Sequence, residues 1–105
     1  MKVWLDDERP EPKGWERTYT QSETIELLQS GEVTELSLDH DLGPEEQVGN
    51  GYGVVEWIEE QVVHNGFRPP DIIICHSANS PAGDRMRQGI ESIRRLAGRP
   101  GNQPE

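Results

Sequence analysis

Four short segments rich in apolar residues, separated by loops or helical patterns, limit most strongly how this chain can fold. KVWL at residues 2–5 and DIIIC at 71–75 are almost continuously apolar, which suits buried strands. WERTYT at 15–20 and VTELSLD at 33–39 alternate between apolar or aromatic and polar residues, which also favours strands. Helical patterns follow the second, third and fourth segments. Strands that alternate with helices form parallel sheets with right-handed crossovers, so we predict an α/β fold.

Three helices are predicted after these strands, and two polar segments remain as loops. Thr20 and Glu23 form a capping box that opens the first helix, and Ser80-Pro81 opens the last one. Residues 8–14 contain two prolines and are predicted as a loop, and the glycine-rich residues 43–53 as a mobile polar loop. The buried faces of the second and third helices are predicted to carry Val55, Ile58, Val62, Met86, Ile90 and Ile93.

The length of 105 residues favours a single domain, which we place at residues 1–97, with a flexible tail at 98–105. Such a domain can bury a substantial core. In the sheet we expect that core to contain Leu36, Leu38, Ile72 and Ile74. Cys75 is the one cysteine, so no internal disulfide forms, and we expect it to pack in the core.

The formal net charge of −10 argues against general binding to nucleic acids or anionic membranes, which require a basic surface. Asp6 and Asp7 come before any apolar stretch that could form a signal peptide, and no segment approaches the length of a transmembrane helix. We therefore expect a cytoplasmic protein without membrane contact.

Polar and titratable residues follow three of the predicted strands at the point where each strand ends. Asp6 and Asp7 follow the first strand, residues 39–41 follow the third, and residues 76–79 follow the fourth. Ligands of open parallel sheets bind beyond the carboxyl ends of the strands. The three segments are therefore predicted to form one site. For Asp6 to meet Asp39, the first and third strands must be neighbours, which predicts the strand order 2-1-3-4.

Four aspartates in one site would repel one another: Asp6, Asp7, Asp39 and Asp41. A divalent cation offsets this repulsion, and Mg²⁺ is typically held by one or two carboxylates together with substrate phosphate. The sequence therefore predicts a Mg²⁺ site, although any one of these aspartates could instead cap a helix or pair with Arg9. Zinc is less favoured, because paired Cys/His spacing is absent from the sequence.

His40 and His76 stand at the ends of the third and fourth strands. Imidazole titrates near neutral pH and serves as a general acid or base, so both residues are predicted catalytic groups. The structural alternative for each is a histidine satisfied in the core or hydrogen-bonded to a loop. Strand alternation places His40 on the face opposite Asp39 and Asp41, so the chain must bend at Asp39 for the three side chains to converge.

The acidic pair after the first strand, the aspartate after the third and the serine after the fourth resemble the receiver domain of two-component signalling. This resemblance implies that Asp6 and Asp7 hold Mg²⁺, that Asp39 accepts a phosphoryl group and that Ser77 contacts it. A receiver also has a lysine at the end of a fifth strand, and this chain has no lysine after Lys13. The chain therefore departs from the receiver pattern at a functional position.

A fuller set of motifs, LDDERP, SLDHDLG, GYGVVEWI and HSANSPAGDRM, is similar to a divergent branch of that superfamily, the cyclic-phosphate-processing receiver-like domain. The resemblance extends from Met1 to about Leu96. It implies a receiver-like (flavodoxin-like) three-layer sandwich with a truncated parallel sheet. It also implies action on cyclic nucleotide phosphates with the paired histidines as catalytic groups. Phage or bacterial RNA repair and conflict are settings that fit such an activity.

Opening a cyclic phosphate requires an activated water, relief of the phosphoryl charge and a proton for the leaving alkoxide. We expect a metal-assisted hydrolase of a small cyclic phosphate or an RNA terminus, in which one histidine is the base and the other the acid. The expected catalytic residues are His40, His76 and Asp39, the metal ligands Asp6, Asp7, Asp39 and Asp41, and the phosphate-binding residues Arg9, Ser77 and Asn79.

Two other functions would use the same residues. In the first, the protein is a stand-alone phosphoacceptor that is phosphorylated on Asp39, a function that the missing lysine disfavours. In the second, the protein is a module that binds a cyclic nucleotide or a protein partner without chemistry. The sequence alone leaves both of these alternatives open.

Overall fold

A computed structural model describes residues 1–98, and the predicted tail beyond Gly98 lies outside the described residues. The strands are β1 (Lys2–Leu5), β2 (Glu16–Thr18), β3 (Glu35–Leu38) and β4 (Ile72–Cys75). The helices are α1 (Gln21–Gln29), α2 (Glu45–Val48), α3 (Gly51–Asn65) and α4 (Ser80–Ala97). Among the described helices, none combines the length and the apolar character needed to cross a membrane.

The four strands form one parallel sheet in the order β2-β1-β3-β4, which confirms the predicted α/β fold and strand order. Leu5 pairs with Leu38 and Leu38 with Cys75, so β1, β3 and β4 end at the same level. The long helices α1, α3 and α4 follow β2, β3 and β4. The segment between β1 and β2 contains Pro10 and Pro12 and forms no helix, as predicted.

The core lies on one face of this sheet. Val3, Leu36 and Ile73 are paired across the sheet, are at most 3% exposed, and pack against all three long helices. On the opposite face, Ile72 and Ile74 are 43% and 49% exposed. Within residues 1–98 the long helices therefore form one layer, not the two outer layers of the expected three-layer sandwich. The helices form a single layer because residues 6–15, between β1 and β2, form a loop and because no strand follows β4 in this part of the chain. The helices contribute Leu28, Val54, Val55, Ile58, Val62, Met86, Ile90 and Ile93 to the core.

The prediction that Ile72 and Ile74 lie in the core is wrong, because the buried position of β4 is the residue between them. The structure buries Ile73, while Cys75 is half-buried with its Sγ 3.9 Å from the Met86 Sδ. The register with β3 decides which face each residue of β4 occupies. The run IIIC has no alternation between apolar and polar residues, so the sequence cannot show that choice.

Side-chain caps begin the long helices. The Thr20 Oγ1 accepts a hydrogen bond of 3.1 Å from the Glu23 backbone N–H, as predicted for α1. The cap of α4 is Asn79, whose Oδ1 accepts from the Ala82 N–H, so the cap lies one residue before the predicted cap and the helix begins at Ser80. Asparagine and serine are comparable caps, which is why the sequence does not distinguish the two positions.

The predicted loop at residues 43–53 is wrong in part. α2 lies within this range, and α3 begins at Gly51 with Asn50 as its cap. The Asn50 Oδ1 accepts a 2.9 Å hydrogen bond from the Gly53 N–H. Glycine has a low helix propensity, so the glycines in this range hide the start of the helix from sequence analysis.

Candidate functional site

The carboxyl ends of β1 and β3 bring three carboxylates together. One oxygen of each of Asp6, Asp7 and Asp39 lies within 4.8 Å of the others, and this group is called the acidic cluster below. Asp41, which the sequence places in the same set, is not one of this group. The strand alignment of Leu5 with Leu38 explains the convergence, because the residues that follow each strand then emerge side by side.

Asp6 is completely buried, and donors surround its carboxylate. Its Oδ1 accepts from the backbone N–H groups of Glu8 (2.8 Å) and Arg9 (2.9 Å). Its Oδ2 lies 3.0 Å from the His76 Nε2 and 3.1 Å from the Arg9 Nε. Burial raises the pKa of Asp6, but these donors outweigh burial and hold the pKa below its ordinary value. Asp6 is therefore an ionised carboxylate whose acceptor sites are already used.

Asp39 is 7% exposed, and its carboxylate has fewer hydrogen-bond donors around it than the Asp6 carboxylate has. Its Oδ1 accepts from the His40 backbone N–H (2.9 Å) and faces the Arg9 Nη2 at 3.4 Å. Its Oδ2 accepts no hydrogen bond from residues 1–98. Burial and the negative charge of Asp6 raise the pKa of Asp39 above its ordinary value, and the His40 N–H and Arg9 offset them only in part. The neutral form of Asp39 is therefore favoured relative to an exposed aspartate.

The Arg9 guanidinium supplies the positive charge that faces the acidic cluster. It contacts Asp6 through Nε and Asp39 through Nη2, and its Nη1 donates to the His76 carbonyl at 3.1 Å. The Arg9 side chain is 48% exposed, so it approaches the two buried carboxylates from the solvent side. The sequence predicts that Arg9 binds the phosphate of a ligand. In the structure its guanidinium instead contacts the carboxylates of Asp6 and Asp39.

His76 has both ring nitrogens engaged. Its Nδ1 lies 2.7 Å from the Ser37 Oγ, and its Nε2 lies 3.0 Å from the Asp6 Oδ2. An ionised carboxylate only accepts, so we assign the hydrogen to Nε2, and Nδ1 then accepts from the Ser37 hydroxyl. Burial lowers the pKa of His76 despite the nearby charges of Asp6 and Asp39, so the neutral ring is favoured. In this arrangement neither nitrogen is free to exchange a proton with a ligand.

Ser37 and Trp4 support the His76 ring, and sequence analysis missed both. The Trp4 and His76 rings are stacked, with centroids 3.8 Å apart and planes 5° from parallel. Ser37 is completely buried and is paired with Trp4 across β1 and β3. The alternation of ELSL does show that Ser37 faces away from Leu36 and Leu38. Nothing in the sequence indicates that His76 covers it.

His40 and Asp41 form a second pair beside the acidic cluster. β3 ends at Leu38, so strand alternation does not continue through these residues. The His40 Nδ1 lies 2.7 Å from the Asp41 Oδ1, and this hydrogen bond lowers the pKa of Asp41. The His40 Nε2 has no hydrogen-bond partner among residues 1–98. A carboxylate on Nδ1 fixes the ring orientation and leaves Nε2 as the nitrogen that can accept a proton.

The Ser77 and Asn79 side chains form hydrogen bonds with the protein itself. The Ser77 Oγ accepts from the Asn79 backbone N–H at 3.1 Å. The Asn79 Oδ1 caps α4, while its Nδ2 donates to the Asp41 Oδ2 at 3.3 Å. Asn79 therefore links the loop after β4 to the His40–Asp41 pair. Binding of phosphate by either residue stays a prediction.

Gly51 fixes the start of α3 against the site. Its N–H donates to the His40 carbonyl at 3.1 Å. A Cβ at this position would collide with the Asp39 carbonyl oxygen and would lie 2.8 Å from the Met86 Cε. The close approach of α3 to the chain between β3 and α2 thus requires a residue without a side chain. The glycine at this position of GNGYG therefore serves packing.

The donor set fits a hard divalent cation. All three groups of the acidic cluster offer carboxylate oxygens, which Mg²⁺ prefers. The half-buried Asp7 carboxylate makes no hydrogen bond or ion pair with the rest of residues 1–98, and the Asp39 Oδ2 is likewise unused. Among residues 1–98, Arg9 forms ion pairs with two of the three carboxylates, so a negative charge remains that a cation can balance. Asp7 and Asp39 would be the first ligands, because the acceptor sites of Asp6 are occupied.

The fold and this site together define a receiver-like α/β domain. Residues 1–92 match the family described as the cyclic-phosphate processing receiver domain. The chain belongs to this family, whose name indicates a role in processing cyclic phosphates. Comparison with curated proteins and with solved structures found no match.

Proposed function

We propose that this protein hydrolyses a cyclic phosphate ester, either of a cyclic nucleotide or at an RNA terminus, with the help of a divalent cation. The observation that carries the proposal is the acidic cluster, in which three carboxylates from two strand ends lie within 4.8 Å in a chain of this family. The residual negative charge of the cluster supports a cation there, and a cation in turn supports a phosphate ligand.

A metal held by Asp7, Asp39 and Asp6 would polarise the phosphoryl group and lower the pKa of a bound water. The residues of the chain would do the rest. His40, oriented by Asp41, accepts the proton of the attacking water at Nε2 as the oxygen bonds to phosphorus. The same nitrogen then returns the proton to the ring oxygen of the ester as the bond between that oxygen and phosphorus breaks. His40 therefore ends the reaction in the protonation state in which it began.

This proposal gives the two histidines different roles. His40 has a ring nitrogen without a partner among residues 1–98, and its backbone N–H donates to the Asp39 carboxylate of the acidic cluster at 2.9 Å. His76 donates to Asp6 and is stacked on Trp4, so we assign it the task of holding the Asp6 carboxylate in position. One proton carrier and one positioning residue thereby replace the acid and base that the sequence predicts for the histidine pair.

The test compares His40→Ala with His76→Ala in hydrolysis of a 2′,3′-cyclic nucleotide and in calorimetric titration with Mg²⁺. His40→Ala should lower kcat by about 10²–10⁴-fold, the usual effect of removing a general acid or base, with unchanged Mg²⁺ affinity. His76→Ala should weaken Mg²⁺ binding, because Asp6 loses a donor that orients it.

Equal losses of kcat in both variants with unchanged Mg²⁺ affinity would instead support the histidine pair. Absence of turnover by the wild-type protein with every cyclic phosphate offered, with and without Mg²⁺, would refute the hydrolase. Labelling with acetyl phosphate on Asp39 would then support the phosphoacceptor, and ligand binding without turnover would support the binding module.

A further inference from the structure

Arg9 stands where a counter-cation of the acidic cluster would stand. Its guanidinium bridges the Asp6 Oδ2 at 3.1 Å and the Asp39 Oδ1 at 3.4 Å. Both oxygens belong to carboxylates that the proposed function assigns to the metal. A metal ion on these carboxylates would lie close to the guanidinium even if it used other oxygens, and the repulsion between two cations in a partly buried site is strong.

We propose that Arg9 and the divalent cation compete for Asp6 and Asp39, and that a phosphoryl ligand relieves the competition by drawing the guanidinium onto its own oxygens. This inference rests on the proposed function and adds a regulation of the same site. A guanidinium forms bidentate hydrogen bonds with phosphate, which is therefore a strong alternative partner for Arg9. Phosphate and metal then bind cooperatively, and each raises the affinity for the other by the same factor.

The contacts of Arg9 allow this exchange without unfolding the site. The Arg9 side chain is 48% exposed, so solvent and ligand can reach its guanidinium. Its backbone N–H donates separately to the Asp6 Oδ1 at 2.9 Å, and the Glu8 N–H donates to the same oxygen. When the guanidinium leaves, Asp6 keeps these two hydrogen bonds and the contact with His76. Departure of the side chain therefore frees acceptor sites while the carboxylate stays in place.

The experiment measures Mg²⁺ affinity by calorimetric titration of the wild type, Arg9→Gln and Arg9→Lys, each with and without inorganic phosphate. Without phosphate, Arg9→Gln should bind Mg²⁺ about tenfold more tightly than wild type, within the usual range of coupling between sites. Arg9→Lys keeps the positive charge and should remain near wild type. Phosphate should tighten Mg²⁺ binding more in the wild type than in Arg9→Gln, where only the direct contact between metal and phosphate remains.

Arg17→Gln is the matched control for the loss of a nearby positive charge. The Arg17 Nε donates to the backbone oxygen of Asp6 at 3.1 Å, and Arg17 pairs with Glu11 rather than with the acidic cluster. Arg17→Gln should therefore tighten Mg²⁺ binding less than Arg9→Gln does. Thermal melting of each variant checks that the fold is retained.

Arg9→Gln binding Mg²⁺ no more tightly than wild type or Arg17→Gln would overturn the competition while leaving the hydrolase standing. Tighter binding by Arg9→Gln in a protein that shows no turnover would support the competition and count against the hydrolase. If neither the wild type nor Arg9→Gln binds Mg²⁺ at millimolar concentration, both the competition and the metal-assisted reaction are refuted.

Discussion

Replacing Gly51 by alanine tests how the site is held against α3. Gly51 is the first residue of α3, and helix propensity alone predicts that alanine stabilises a helix by about 1 kcal/mol relative to glycine. The structure instead predicts that Gly51→Ala destabilises the protein. The new Cβ would come closer than 3.0 Å to the Asp39 carbonyl oxygen, a distance that Cβ atoms essentially never show, and 2.8 Å from the Met86 Cε.

The magnitude follows from which atoms can move. The Met86 side chain is flexible and can turn away, but the Asp39 oxygen belongs to the backbone and carries the whole chain between β3 and α2 with it. Overpacking of a buried site costs about 1–3 kcal/mol, and a rigid backbone neighbour places Gly51→Ala at the upper end, about 3 kcal/mol. For a domain of this size, 1 kcal/mol corresponds to about 4–8 °C in Tm, so Tm should fall by more than about 10 °C.

Thermal melting followed by circular dichroism measures the effect, with Gly66→Ala as the matched control. Gly66 ends α3 with φ of +64°, and no atom of residues 1–98 other than its chain neighbours would lie within 4 Å of a Cβ added there. Alanine at this position should therefore destabilise the protein only through the strain of a left-handed backbone conformation, by about 1–2 kcal/mol. Gly51→Ala should also weaken Mg²⁺ binding, because the shift moves Asp39, whereas Gly66→Ala should not. A Tm for Gly51→Ala equal to or above that of Gly66→Ala would refute the reasoning.

Three further substitutions test the charges and hydrogen bonds of the site. Asp7→Asn should weaken Mg²⁺ binding in calorimetry without lowering Tm, because the carboxylate makes no hydrogen bond or ion pair with another residue among 1–98. Asp39→Asn should raise Tm at pH 7 in EDTA, since an amide oxygen can keep both contacts of Oδ1 while the buried charge is lost. Because folding raises the pKa of Asp39, the cost of its buried charge to the wild type diminishes as pH falls through that pKa, so the advantage of Asp39→Asn should shrink towards pH 4. Ser37→Ala should cost about 1–3 kcal/mol, because the Nδ1 of the half-buried His76 ring loses its donor, and ¹⁵N NMR should then show loss of the single ring tautomer.

The positions of the strand ends could be predicted from the sequence, because apolar runs that stop at acidic or polar residues mark both the strand and the edge of the sheet. That reasoning placed Asp6 beside Asp39 and gave the strand order, both of which depend only on local patterns and on parallel topology. It failed at Ile72 and Ile74, where a uniform apolar run carries no alternation. It failed again at residues 43–53, where a glycine required by close packing resembles part of a loop.

The different roles that we propose for the two histidines could not be separated from the sequence, since both residues follow a strand and both have polar or acidic residues nearby. Their difference arises from partners that are distant along the chain. His76 meets Ser37 and Asp6 only because β4 lies beside β3 and β3 beside β1. The Asp41 carboxylate that orients His40 is adjacent to it in the sequence. The pair could therefore be recognised as a motif, but the hydrogen bond between the two side chains could not be predicted.

The open face of the sheet explains why His76 is placed as it is. Ser37 is completely buried although it lies on the face that none of the described long helices covers. The His76 ring lies over its hydroxyl, and Trp4 stacks on that ring. These two rings thus exclude water from Ser37 and Asp6 where a second helical layer would otherwise do so. An aspartate in a dry site needs fixed donors, and the His76 ring supplies one to Asp6. Holding that carboxylate is therefore the role that the surrounding packing favours for His76.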